Sequence, residues 1–135
     1  MKTRFVIYGL LGLIMETVWT GLGSLLAGDW RLKSFTSLWM FTIYGLAVFL
    51  EPLHERIRPW PWFFRGLLWV VVIFGIEFAA GGLLREVTGA SPWDYAGKTY
   101  NIDGLIRLDY APAWFAAGLF FERVHDWLKG NLPIK

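Results

Sequence analysis

The sequence predicts an all-α integral membrane protein, a four-helix bundle built from two tandem helix pairs in a single domain spanning residues 1–135. Three observations carry this expectation. Hydrophobic residues make up 56% of the chain and aromatic residues 19%, well above the content of a soluble domain. The apolar residues gather into four stretches, residues 5–27, 35–53, 62–84 and 110–128. Each is close to the ~20 residues that a membrane-crossing helix needs, and the absence of strict alternation argues against spanning strands.

The first stretch follows Lys2 and Arg4 as a signal peptide would, but its apolar run is too long and Glu16 stands in its middle, so it is expected to remain as a span. A short "GDWRLKS" connection leads to the second stretch, which carries Tyr44 and Glu51 and ends in "FLEPLHERI". The turn "RPWPWFFR" then supplies interfacial tryptophans before the third stretch, which carries Glu77. Connections this short make the first three helices antiparallel neighbours. The connection over residues 86–109 is longer, and its Trp93, Tyr95, Tyr100 and Ile102 suit either an ordered outer cap or an aromatic interfacial loop. Gly9, Gly12, Gly21, Gly23, Gly81 and Gly82 read as places where helices approach closely.

Charge narrows the function. Lys2, Arg4, Arg56, Arg58, Arg65, Arg123, Lys129 and Lys135 fall towards one side, against Arg31, Lys33, Arg85, Lys98 and Arg107 on the other. The positive-inside tendency then puts both termini in the cytoplasm. These residues are scattered rather than gathered in a stripe, which argues against nucleic acid as a partner. With no cysteine, iron-sulfur clusters, thiolate haem, cysteine-zinc sites and disulfides are all excluded.

An internal repeat focuses attention on six residues. "LIMETVWTGLG" in the first stretch is echoed by "VIFGIEFAAGG" in the third, and "FLEPLHERI" by "FFERVHDWL". The helices therefore contribute Glu16, then Glu51 with His54, then Glu77, then Glu122 with His125. This matches the ligand set of ferritin-like di-iron and di-manganese carboxylate bundles, in which an i, i+3 Glu-x-x-His pair presents both side chains on one helix face. Four carboxylates within a bilayer are costly, and with Arg123 the one arginine well inside a stretch, two divalent ions would offset their charge. Tyr44, seven residues before Glu51, is a candidate hydrogen-bond donor to that site. Pro52, between Glu51 and His54, is expected to distort the turn that carries them.

Gly12 with Glu16, the run Ile43-Tyr44-Gly45, Glu77 followed by Gly81, Trp93-Asp94-Tyr95 with Asn101 and Gly104, and Trp114 resemble the small four-span bacterial proteins called putative ABC-transporter type IV, or CmpB-like. The resemblance covers about residues 10–120 and implies a four-helix membrane protein with a permease role. Such a role would need a separate ATPase, because this chain has no glycine-rich phosphate-binding loop.

Two functions follow as expectations. The first is a metalloprotein with Glu16, Glu51, His54, Glu77, Glu122 and His125 around two iron or manganese ions, an oxidoreductase activating oxygen for an apolar or lipid-like substrate that arrives from the bilayer. Zinc, or one haem b between the two histidines, are the lesser cofactor options. The second is a transporter or permease subunit whose intramembrane carboxylates bind protons or metal cations. Partners are the bilayer and an apolar small molecule or lipid; a homo-oligomer is compatible with either function.

Overall fold

The computed structural model describes residues 1–132, so Lys135, counted above among the basic residues, lies outside the described part. The chain is helical with very little sheet. It contains α1 (Lys2–Leu26), α2 (Leu38–Gly45), a 3-10 helix (Leu46–Leu50), α3 (Glu51–Ile57), α4 (Trp62–Thr88), strands β1 (Asn101–Ile102) and β2 (Ile106–Arg107), a 3-10 turn (Leu108–Tyr110) and α5 (Ala111–Asn131). Helices α1 and α4 are long and apolar enough to cross a membrane. The chain forms two compact units, Met1–Glu51 and the described residues from Pro52 onward.

The second apolar stretch is not one regular α-helix. Its backbone stays right-handed from α2 into α3, but the ladder tightens to 3-10 over Leu46–Leu50, directly before Pro52. Proline has no N–H for the carbonyl four residues back, and its ring crowds that carbonyl, so the helix adjusts in the preceding turn. Pro52 itself occupies the first turn of α3, where its missing N–H costs nothing.

In the first unit α1 and α2 pack together at glycines. A β-carbon on Gly9 would stand 2.7 Å from Phe41 Cδ2, and one on Gly45 would stand 2.7 Å from Phe5 Cζ. Gly23, by contrast, would meet nothing within 4 Å among the described residues, so its expected packing role is not seen. The connection from α1 to α2 folds back on α1, where Thr20 Oγ1 accepts from Phe35 N at 2.8 Å. Ser37 then caps α2 by accepting from Trp39 N at 3.2 Å.

In the second unit α4 packs on α5. β-carbons on Gly66 and Gly118 would each fall 2.3 Å from a neighbour, Phe115 Cε2 and Trp69 Cβ respectively. Helix α4 ends at Gly89 in the left-handed conformation, at φ 82°. The long connection beyond it is an ordered cap. β1 and β2 pair antiparallel with Ile102 opposite Ile106, turning through Asp103 and Gly104, both at positive φ. Asn101 Oδ1 accepts from Gly104 N at 3.0 Å, and Trp93 Nε1 donates to Leu105 O at 2.9 Å. The buried Leu105 and the Trp93 indole lie against Gly81 of α4, fixing the cap to that helix.

Candidate functional site

Each of the four carboxylates has a donor of its own. In the first unit Glu51, 9% exposed, receives both Nε and Nη2 of Arg4, at 2.7 and 2.9 Å, and Tyr8 OH at 3.0 Å. This is a two-pronged guanidinium–carboxylate pair, the strongest geometry available to the two groups. Glu16 accepts from Tyr44 OH at 2.9 Å, a contact from α2 to α1.

The second unit repeats the pattern. Glu122 accepts from Arg65 Nε, with its two oxygens at 3.2 and 3.1 Å, and from Trp69 Nε1 at 2.7 Å. Glu77, also buried, accepts from Tyr95 OH of the cap at 3.4 Å. Arg4 and Arg65, Tyr8 and Trp69, Glu16 and Glu77, and Glu51 and Glu122 therefore hold equivalent places, with 47 residues separating the first Arg–Glu pair and 57 the second. The extra length of the second half is taken up by the cap.

The charge argument for two metal ions changes accordingly. Arg123 is exposed, and the cations that meet Glu51 and Glu122 are Arg4 and Arg65, from the first turn of α1 and of α4. These two arginines supply compensating charge to Glu51 and Glu122.

The two histidines do come together. His54 and His125 are buried edge to face, with ring centroids 4.9 Å apart. Around them the "PLHERIR" and "ERVHDWLK" segments make reciprocal contacts. His54 Nε2 lies 3.2 Å from Asp126 Oδ1, and His125 Nε2 lies 2.9 Å from Glu55 Oε1. Arg58 Nη2 donates to Asp126 Oδ1 at 2.6 Å, and Lys129 Nζ donates to Glu55 Oε1 at 3.0 Å. Each segment thus offers a histidine, the acid after it and a base four residues on, and receives the same three from the other. Glu122 Oε1 stands 3.5 Å from His54 Nδ1.

The model of the putative ABC-transporter type IV family, the CmpB-like proteins, matches residues 3–132 of the chain. The chain belongs to this family. No solved structure matches it. Membership makes it a membrane protein, in keeping with the two apolar helices. It also gives the family-like residues of this CmpB-like chain a physical role. Asn101 and Gly104 shape the hairpin turn, Trp93 and Gly81 lock the cap to α4, and Tyr95 carries the cap's hydroxyl to Glu77.

The sequence pattern did not mark Arg4, Tyr8, Glu55, Arg58, Arg65, Trp69, Asp126 and Lys129 as site residues, although four of them counted among the basic residues of one side. Two signals for them were present: an arginine followed four residues later by an aromatic at the start of α1 and α4, and an acid directly after each histidine. Glu55 lies beyond the second apolar stretch, and the Arg58 guanidinium holds its carboxyl well below the usual glutamate range, with His125 and Lys129 adding to the effect. An unfolded glutamate titrates near pH ~4.3, so Glu55 stabilises the fold fully above that pH and progressively less as the pH falls below it. Glu55→Gln is therefore expected to flatten the fall in thermal stability between about pH 5 and 3. Superimposable acid limbs for wild type and variant would show that the network contributes nothing.

Proposed function

We propose that this CmpB-like chain is the membrane-embedded subunit of a transport system, with intramembrane carboxylates that bind and release protons or metal cations, and with energy supplied by a separate ATPase. The observation that carries this reading is the placement of Glu16 and Glu77. Each stands within a helix long and apolar enough to cross a membrane, and each is met by a tyrosine hydroxyl, from α2 and from the cap. Carboxylates in an apolar helix are expensive and are kept where they serve a pathway. Glu51 and Glu122, held by arginines, suit a structural task, which leaves Glu16 and Glu77 as the exchanging pair. Membership of the ABC-transporter type IV family supports the transport class. Nothing in the family match or the geometry speaks for oxygen chemistry.

Vesicles containing the purified protein and an entrapped pH or divalent-cation indicator test the reading. Wild type is expected to carry protons or cations down an imposed gradient, and Glu16→Gln and Glu77→Gln to abolish the flux. Wild-type vesicles no leakier than protein-free ones would sink it.

A further inference from the structure

The histidine cluster has a different chemistry from the carboxylates within the apolar helices. One ligand atom each from His54, His125 and Asp126 lies within 4.8 Å of the others. Around a tetrahedral ion with bonds of about 2.0–2.2 Å, ligand atoms sit roughly 3.3–3.5 Å apart, so side-chain shifts of about an ångström would close the set. What occupies the place now is Arg58. Its Nη2 donates to Asp126 Oδ1 at 2.6 Å and Glu55 Oε1 at 3.0 Å, and stands 3.3 Å from His54 Nε2. The two carboxylates can take both of its hydrogens, and the cation stands where carboxylate and imidazole atoms converge.

His54 supplies a second observation. With Nε2 bound to an ion its proton would sit on Nδ1, and that nitrogen is buried with no hydrogen-bond partner among the described residues. Its neighbour is Glu122 Oε1 at 3.5 Å, a carboxylate fixed by Arg65 and Trp69. A ligating imidazole in metal proteins directs its far N–H at such a carboxylate, which sets the tautomer and strengthens the donor nitrogen.

We infer that His54, His125 and Asp126 form a binding site for one borderline transition-metal ion of the zinc and cobalt class, with Glu122 as the orienting carboxylate and Arg58 as the occupant that the metal displaces. Two imidazoles and one carboxylate favour such ions over magnesium or calcium. Arg58, once displaced, keeps Glu55 as its partner, to which Nε already donates at 3.2 Å. The contact between the α3 end and α5 therefore has two forms, one closed by arginine and one by metal. The site takes one ion per chain and uses none of Glu16, Glu51 or Glu77. It stands independently of the transport reading.

The test is a Co2+ titration of the full chain in detergent after chelator treatment, followed by visible absorption and then Zn2+ competition. Expected are one Co2+ per chain with the intense bands of tetrahedral coordination, loss of those bands in His125→Ala and Asp126→Asn, and about tenfold tighter binding in Arg58→Ala because the competing cation is gone. Arg58→Lys, which keeps the charge without the fork, is expected to fall between wild type and Arg58→Ala, and it secures the comparison if the alanine variant folds poorly. Arginine variants that bind no more tightly than wild type, or Co2+ binding that survives Asp126→Asn, would overturn the proposal.

Discussion

Arg4→Ala is expected to destabilise the protein by about 3–5 kcal/mol, the cost of leaving a buried carboxylate without its cation. Both partners are well shielded, with side chains 8% and 10% exposed, and the contact uses two parallel N–H donors. Tyr8 OH would still donate to Glu51, but a neutral hydroxyl cannot replace a charge. Replacing both partners, as in Arg4→Met with Glu51→Leu, removes two desolvated charges together and is expected to be near neutral. Arg65→Ala should cost less, about 1–3 kcal/mol, because Arg65 is 21% exposed and meets both Glu122 oxygens with Nε alone. The measurement is the unfolding midpoint in mixed detergent micelles, read by far-ultraviolet circular dichroism. An Arg4→Ala loss under about 1 kcal/mol, the level of an exposed ion pair, would contradict the argument.

The same arginine shows why part of the structure was legible in the sequence and part was not. Helical segments are written in local composition, and the expected stretches at residues 5–27, 62–84 and 110–128 match α1, α4 and α5 to within a few residues. The break before α3 was also local, announced by Pro52. An arginine in a first helical turn is ambiguous, since it can reach for the headgroups or turn inward. What decides is Glu51, 47 residues away, which no local pattern reveals. The paired Glu-x-x-His spacing singled out the two histidines, which lie against each other in the structure, but the acids facing them, Glu55 and Asp126, come from the opposite segment. A repeat in sequence shows that two segments are equivalent; that they meet each other reciprocally is a tertiary fact.

Gly12→Val is expected to cost about 3 kcal/mol, at the upper end of what overpacking costs. A β-carbon at Gly12 would stand 2.1 Å from Tyr44 Cγ and 2.4 Å from Tyr44 Cβ. Those atoms lie next to the α2 backbone rather than at the free end of a side chain, so the clash cannot be relieved by a change of rotamer alone. Either α2 backs away from α1 or the Tyr44 ring swings aside, and both break the 2.9 Å bond from Tyr44 OH to Glu16. The substitution therefore damages the packing and removes the donor of a carboxylate central to the proposed transport pathway. Gly23→Ala on the same helix is the control of opposite sign, since the new methyl meets nothing within 4 Å and alanine gains up to about 1 kcal/mol over glycine in a helix. Tyr44→Ala in the Gly12→Val background should recover part of the packing loss without restoring the hydrogen bond. A positive coupling energy in that double-mutant cycle, together with undiminished loss of flux, would separate the two effects of one glycine. Equal costs for Gly12→Val and Gly23→Val would instead mean that the close approach of Tyr44 to Gly12 adds nothing to stability.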